Sequence, residues 1–404
     1  MQYRLSIWML TVVVAGLVGC SGPADEAENG GDNQQQQEEL DPVSLRVATF
    51  NTSLYREQEG QLIDDLSDPD HLQARQIAEI IQINRPDIIL LNEFDYDADV
   101  QGATLFADNF LSQPQGDQEG LDYPYFYAVP SNTGVPSGVD LNGDGESEGE
   151  VGTEEYAQNA YGYGIFPGQY AFVIFSKYPL LIEERRSFQH FLWDQMPHSL
   201  MPRDYYSAEA IEIFRLSSKN HVDIPVDVEG RRLHILASHP TPPAFDGPEQ
   251  RNVRRNADEI RLWTDYLDGV DYLVDDQGAS GGLDEEAYFV IVGDLNADPN
   301  DSDEGGAMAD LLAHPRTTDP MPESDGGQIS GESRGGRNDV HEGEHRHDTS
   351  QWHPNVGNMR VDYAIPSSNL QIDDSAVFWP APDQPHADLV EATDHRLVWV
   401  DVTL

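Results

Sequence analysis

Side chains that can hold a hard cation and move a proton recur in one kind of place along this chain, the polar end of an apolar run. Val47-Ala48-Thr49-Phe50 runs into Asn51, Ile88-Ile89-Leu90-Leu91 into Asn92-Glu93, and Leu233–Ser238 into His239. Tyr288–Val292 leads into Gly293-Asp294-Leu295-Asn296, Val361 is followed by Asp362, and Thr393-Asp394-His395 precedes the last apolar run. Carboxylate and amide oxygens suit a hard divalent ion such as Mg2+ or Ca2+. Such an ion can neutralise a phosphate in flight and lower the pKa of a bound water. A nearby imidazole can take the proton of that water. Singly, each residue has a plainer reading: Asn51 and Asn92 as turn formers, Asp294 as a turn cap, His239 before Pro240 as a satisfied loop histidine. Recurrence at six strand ends is what chance does not readily give, and rigid strands hold a constellation in register.

The elements that must position these residues are legible from periodicity. Leu45–Phe50 alternates as a strand, and Asp68-Pro69 caps a helix over 69–83 with Leu72, Ile77, Ile80 and Ile81 as its apolar stripe. Pro86 stops that helix, and Ile88–Leu91 reads as a buried strand. Residues 112–169, rich in Gly, Asp, Glu, Pro and Tyr, read as a long insertion, and Ala171–Phe175 as a strand. Val222–Val228 and Leu233–Ala237 form a hairpin about Gly230. Pro248 opens a helix with Val253, Ala257, Ile260, Trp263 and Leu267 inward. Tyr288–Val292, Val361–Ile365 and Leu397–Val402 complete the strands. Hairpins interleaved with helices predict α/β layers with mixed sheets, not a doubly wound parallel fold.

Composition narrows the function classes. With 73 Asp+Glu against 23 Lys+Arg, the formal net charge is −50. This argues against a broad basic patch laid along nucleic-acid phosphates. One cysteine rules out an internal disulfide and any Cys-rich metal site. Hydrophobic residues are only 38%, yet 17 Tyr, 14 Phe and 6 Trp are too many for a disordered acidic chain, so a core is expected. Lys177 and Lys219 are the only lysines, which leaves nearly all positive charge to arginine.

The ordered set Phe50-Asn51, Asn92-Glu93, Ser238-His239-Pro240, Gly293-Asp294-Leu295-Asn296, Val361-Asp362-Tyr363 and Thr393-Asp394-His395 resembles the endonuclease/exonuclease/phosphatase superfamily, with the deoxyribonuclease-I-like pattern nearest. The long insertions, the segment Gly168-Gln169-Tyr170 and the stretch Arg215–His221 look like a subgroup of secreted bacterial members. The resemblance implies a four-layer α/β sandwich of two mixed sheets flanked by helices, with the site at one end. It implies Glu93 as principal metal ligand with Asn51 and Asp394 in support, and Mg2+ (or Mn2+) as the ion. Asp294 and Asn296 would bind a second ion or position nucleophile and phosphate. His395, oriented by Asp362, and His239 would be the acid/base pair for in-line attack of water on phosphorus. Two departures stand out. Ser53 replaces the acid that many DNA-repair members carry two residues after the first Asn, and no acid near Gln169-Tyr170 offers itself as a partner for His239. Arg215 and Lys219 are the candidates for a phosphate clamp.

Lesser signals remain. Asp140, Asn142 and Asp144 match the first half of a calcium loop, but Val151 stands at position twelve, so a structural Ca2+ and a flexible acidic turn are both open readings. His341, His345, His347 and His353 have spacings that can bind a transition metal, although an unstructured solvated loop is the favoured reading. Arg251, Arg254 and Arg255 could face phosphates, with simple pairing the favoured alternative.

The N-terminus reads as an address. Arg4, the apolar run Leu5–Leu17 and Leu17-Val18-Gly19-Cys20 have the form of an export signal ending in a bacterial lipobox, with Cys20 lipidated. Residues 1–20 are thus expected to be a lipoprotein signal, 21–43 a disordered acidic linker and 44–404 the folded domain. The expectation is an exported, monomeric phosphodiesterase or nuclease-like enzyme, lipid-anchored to the outer membrane and acting on a phosphate ester of a nucleic acid, nucleotide or lipid headgroup. A phosphomonoesterase or phospholipid-headgroup esterase of the same fold is the first alternative, and a non-catalytic Ca2+-binding surface module the second.

Overall fold

The computed structural model describes residues 41–302 and 306–404. Cys20 and the rest of 1–40 lie outside the described residues. The strands are β1 Ser44–Leu54, β2 Ile88–Phe94, β3 Tyr125–Val129, β4 Phe172–Ser176, β5 Arg186–Ser187, β6 His221–Val228, β7 Arg231–Ser238, β8 Tyr288–Asp294, β9 Ser350–Gln351, β10 Asn358–Met359, β11 Asp362–Pro366, β12 Gln371–Val377 and β13 Val398–Thr403. One sheet has the order β12-β13-β1-β2-β4-β3 and the other β11-β8-β7-β6-β5, while β9 and β10 form a separate ribbon. β1 and β2 pair in parallel, as do β7 and β8, and the remaining pairs are antiparallel. Each sheet is therefore mixed, with one crossover helix apiece: Leu72–Asn84 joins β1 to β2, and Arg251–Leu267 joins β7 to β8.

Strand alternation explains the layering. Val47, Leu90, Ile174, Ile224, Ile235, Val290 and Val400 lie in one buried cluster between the sheets. Their neighbours Ala48, Ile89, Phe175 and Trp399 join Ile77, Ile80 and Ile81 of the first helix. On the far side, Leu236, Phe289 and Ile291 join Ile260, Trp263 and Tyr266 of the second. Side chains two apart share a face, so four layers follow, helix, sheet, sheet, helix, as expected from the sequence. Each fully buried aliphatic contributes roughly 1.5–3 kcal/mol.

The same parity carries the polar residues inward. Asn51 continues the inner face of Val47 and Thr49, Asn92 that of Leu90, His239 that of Ala237, and Asp294 that of Val292. Asp362 sits in register opposite Asp294 across the β11–β8 ladder. The apolar layer between the sheets thus ends, at one edge of the sandwich, in amides, acids and imidazoles. Gly293 is required there by close approach, because a Cβ on it would stand 2.1 Å from the Ser238 carbonyl oxygen of β7.

Several expectations change. The first crossover helix begins at Leu72 with His71 as its N-cap, not at Pro69, and Leu72 is exposed. Residues 112–169, expected as a long insertion, contribute a strand to the main sheet, since β3 runs through them and pairs along its length with β4, and Glu154–Gln158 is a short helix capped by Thr153. The 341–353 stretch is not a solvated loop, because His347, Asp348, Thr349 and Ser350 are buried. Arg255 turns inward and donates to the carbonyls of Leu216, Tyr161 and Arg215, so its charge holds loops together. Among the described residues no helix is long and apolar enough to cross a membrane. Gly293→Ala is expected to destabilise the protein by roughly 1–3 kcal/mol, the usual range for overpacking where backbone must yield, as read by urea unfolding; an unchanged midpoint would show that β7 and β8 can part there without cost.

Candidate active site

Two backbone departures aim the side chains at the sheet ends. Glu93 would face the outer helix by parity, but its φ of 56° and the register shift between β1 and β2 beyond Asn51 break the alternation and re-aim it. Asn296 has φ 53°. Left-handed backbone is costly for a residue other than glycine and clusters where function over-determines it.

Asp294 is the hub. Its Oδ2 accepts from Asn51 Nδ2 at 3.0 Å, and its Oδ1 accepts from the Asn296 backbone N–H at 2.9 Å. His239 Nε2 and His395 Nε2 lie 3.6 and 3.7 Å from the same Oδ2. Those separations are too long for hydrogen bonds. Two imidazoles therefore flank one carboxylate oxygen without being consumed by it. Behind His395, Asp362 Oδ2 lies 2.9 Å from Nδ1 and also accepts from Thr349 Oγ1 at 2.8 Å. Thr349 Oγ1 in turn accepts the Val361 and Asp362 N–H groups, each at 3.0 Å, which fixes the acid's orientation. Asp394 stands at the mouth, half exposed, with Oδ1 4.0 Å from His395 Nε2. Thr393 Oγ1 donates to the Asn51 carbonyl at 3.1 Å and pins this turn to β1.

The protonation states separate by environment. Burial pushes His395 down, but the Asp362 and Asp294 charges outweigh it and raise the imidazole to about 10. His239 is held well below its ordinary value by burial and by the charges of Lys219 and His395. Burial lifts Asp294 to about 7 against the pull of His395. Glu93 is raised by burial, opposed by His395 and by a hydrogen bond from Asn51. A protonated imidazole, a neutral imidazole and two reluctant carboxylates thus share one pocket of charge. Divergent pKa values at a cleft are the usual mark of acid/base work.

Asp294, Asp362 and His395 bring three ligand atoms within 4.8 Å of one another, Asn51 bonds Asp294, and the Glu93 and Asp394 charges bear on His395, so a cation here would relieve the negative charge that adds to burial in raising Asp294 and Glu93. Within the described residues, buried His239 Nδ1, Asn92 Nδ2 and Asp362 Oδ1 have no hydrogen-bond partner. Beside Gln169-Tyr170 the structure places Asp95, which accepts the Tyr170 and Arg56 N–H groups at 3.1 and 2.8 Å and is not a partner of His239 Nδ1, while Gln169 bonds Arg56 and Ile165 backbone. Asn92 Oδ1 accepts from Thr49 Oγ1 at 3.2 Å and from the Asp294 N–H at 3.3 Å, so it ties β2 to β8.

Lys219 is buried, with burial lowering its ammonium and the charges of Glu259, Glu93 and Asp294 opposing that shift. Arg215 is not brought to this cluster: its guanidinium lies over Tyr161 at 4.0 Å and donates to Asn132 Oδ1 at 2.6 Å. The Asp140, Asn142 and Asp144 side chains are also elsewhere. Asp140 accepts the N–H groups of Gly143 and Gly145, Asp144 that of Glu146, and Asn142 bonds Asp144 and Gln158.

Sequence reasoning missed several supports. Glu259 accepts from the Ser218 N–H at 2.5 Å and the Thr241 N–H at 2.7 Å, which brackets Lys219 and His239. Asn256 donates to the Thr241 and Leu295 carbonyls. The signal was present, since helical period puts Asn256 on the face of Ile260 and Glu259 on that of Trp263. Thr349 carries no such signal, because only the tertiary fold brings it to Asp362.

The family model described as Endonuclease/Exonuclease/phosphatase family matches residues 48–395. Comparison with curated proteins gave no match. Among solved structures, the chain is similar to an endonuclease/exonuclease/phosphatase from Beutenbergia cavernae DSM 12333 (19% identity, 89% of this chain and 72% of that one, TM-score 0.49). It is also similar to an endonuclease/exonuclease/phosphatase family protein from Leptotrichia buccalis (12%, 89% and 99%, TM-score 0.46) and to sphingomyelinase C from Streptomyces griseocarneus (14%, 89% and 99%, TM-score 0.45).

The raised His395 pKa carries a stability consequence. A group whose folded pKa exceeds its unfolded value contributes stability that is full below about 6.5 and lost as pH rises towards about 10. The metal-free protein should therefore show a falling thermal midpoint across that window, and His395→Asn should flatten the slope. Equal slopes in the two proteins would remove the imidazolium assignment.

Proposed function

The chain belongs to the endonuclease/exonuclease/phosphatase family, and from that premise we propose that it is a divalent-metal-dependent phosphodiesterase. The observation that carries this reading is the pair of imidazoles, one protonated and one neutral, set 3.6 and 3.7 Å from one oxygen of Asp294. Asn51, Glu93 and Asp394 would hold the ion, Mg2+ or Mn2+, which when bound supplies charge neutralisation for the phosphate and a more acidic water. Asp294, near neutrality in its affinity for a proton, is placed to accept one from an attacking water that Asn296 helps to orient. His395, kept charged by Asp362, can stabilise the pentacovalent oxygens or protonate the leaving oxygen. His239 remains neutral and offers its ring N–H to a phosphate oxygen, while the Lys219 ammonium adds positive charge from behind the acids. Positioning and charge stabilisation carry most of the effect in such transfers.

A flat leaving group is supported by a tyrosine series beside Glu93. The Tyr55 and Tyr170 rings lie 4.5 Å apart, Tyr163 follows at 6.4 Å, and the Glu93 charge bears on both Tyr55 and Tyr170. Aromatic faces of this kind stack bases without demanding a sequence. This favours nucleotide or short nucleic-acid diesters, and the −50 charge argues against tight binding of long polymers. One observation favours a phospholipid-headgroup substrate instead: Phe245, on the loop that follows His239, is 92% exposed. The proposal also keeps the protein exported, monomeric and anchored through Cys20.

Four outcomes test this reading. Bis-p-nitrophenyl phosphate, plasmid DNA, RNA, p-nitrophenyl phosphate and sphingomyelin assayed with and without EDTA should show chelator-sensitive diesterase activity; turnover confined to the monoester would replace the diesterase reading, and turnover confined to sphingomyelin would replace a nucleotide substrate by a phospholipid headgroup. His395→Ala and His239→Ala should each lower turnover by roughly 10²–10⁴-fold with unchanged circular dichroism, and Glu93→Gln should raise the Mg2+ concentration needed for half-maximal rate. Cys20→Ser should move the protein from the membrane fraction to the soluble one, and retention in the membrane would remove the lipid anchor.

A further inference from the structure

The loop that follows Asn296 and the segment before β9 meet in a second cluster of metal-type side chains, distinct in composition from the active site. His341 is enclosed, its side chain 4% exposed, with Nδ1 3.0 Å from Asp301 Oδ2 and Nε2 3.2 Å from Asp348 Oδ1. His345 Nδ1 lies 3.0 Å from the other oxygen of Asp348, whose side chain is 1% exposed. The two imidazole rings stack with centroids 4.5 Å apart. Asp298, also buried, adds a third carboxylate within reach of His341.

Elementary hydrogen-bond chemistry makes this arrangement incomplete for a neutral ring. A neutral imidazole has one N–H and one lone pair. Whichever nitrogen of His341 carries the proton, the other directs a lone pair at a carboxylate oxygen. Two such oxygens on opposite edges of a buried ring call for positive charge, supplied by a second ring proton or by a metal ion on one nitrogen. Nearby arginines do not supply it: Arg346 turns its guanidinium to Glu323 and Glu344, and Arg360 meets Asp298 only through its backbone N–H. The helix Asp325–Arg334 is also shaped for His345, because a Cβ at Gly331 would fall 2.1 Å from His345 Cγ. The ring occupies space that only glycine leaves.

We propose that His341 Nε2, His345 Nδ1 and the Asp348 carboxylate bind a Zn2+-class transition-metal ion, with Asp301 holding His341 Nδ1 from behind. The three donors lie within 4.8 Å of one another, with His341 Nε2 3.2 Å from Oδ1 and His345 Nδ1 3.0 Å from Oδ2 of Asp348; a tetrahedral ion with bonds of about 2.0–2.1 Å needs neighbouring donors about 3.3 Å apart, so binding would draw the two imidazoles onto the carboxylate. Mixed nitrogen and oxygen donors select zinc over Mg2+ or Ca2+, which take oxygen. An acid behind the ring nitrogen opposite the metal is the usual outer partner of a ligating histidine. The ion would clip the 298–301 loop, which leaves β8 just beyond Asp294 and Asn296, to the segment whose next residue, Thr349, bonds Asp362. It is a brace for the active site, not a participant in the chemistry.

The test is metal stoichiometry. Protein stripped by chelator and then saturated with Mg2+ should take up one equivalent of Zn2+ by calorimetry, and Co2+ in its place should give the visible bands of a four-coordinate site. The equivalent should persist in Asp294→Asn and disappear in His341→Ala and His345→Ala, with a zinc-dependent rise in thermal midpoint seen only where it binds. Since a buried histidine variant can fail to fold, Asp301→Asn serves as the second probe, with an expected 10–100-fold loss of Zn2+ affinity. Zinc uptake that is the same in wild type, His341→Ala and Asp301→Asn would overturn the proposal. Absence of any uptake by folded wild type would also overturn it and identify His341 as an imidazolium clasped by two acids.

Discussion

The carboxylate of Asp294 is 1% exposed, and a charge removed from water to that degree costs several kcal/mol unless other groups answer it. Here the answers come from four places in the chain: the Asn51 amide of β1, the Asn296 N–H just beyond β8, and the imidazoles of His239 and His395. None of these is complete compensation, because two are long contacts and one imidazole is neutral. Raised affinity for a proton at Asp294 and Glu93 expresses the remainder. The edge of the sandwich is thus poised to accept positive charge, and the strands beneath it are too tightly packed to relax the demand away.

That demand gives the −50 net charge a second meaning. Acids outnumber Lys and Arg by 73 to 23, and some of the positive side chains are turned inward: Arg255 gathers three carbonyls, Arg360 closes on the Asp319 carboxylate, and Arg396 bonds the carbonyls of Thr393 and His395. Little cationic surface is left to draw an anionic substrate over long range. Phosphate recognition in the proposed reaction therefore rests on short-range groups, the bound ion together with Lys219 and His395. In that proposed reaction, acids that would repel substrate without metal would become its anchor with metal bound.

Rigidity at the site is distributed through groups that never touch substrate. Thr349 fixes Asp362, Thr393 fixes the turn before His395, Glu259 holds the backbone on either side of Lys219 and His239, and Asn256 ties two loops to the second helix. The zinc brace proposed at His341 and His345 belongs to the same class of device. It secures two long excursions, 295–302 and 341–349, that the sheets alone do not hold.

Much of this was legible in local pattern. Alternation along Val47–Phe50 and Ile88–Leu91, the apolar stripe ending at Ile81, and the polar residues after each run identified the layers and the residues Asn51, Glu93, His239, Asp294, Asp362 and His395 as a set. Period and polarity are properties of neighbours, so sequence carries them. What it could not carry was register and reach. The pairing of Asp362 with Asp294 across β11 and β8, the left-handed turn that re-aims Glu93, the withdrawal of Arg215 to Tyr161, the seating of β3 beside β4, and the enclosure of His341 between Asp301 and Asp348 each depend on which distant segment arrives alongside. Those arrivals are settled by packing of whole sheets and helices, and only the tertiary structure decides them.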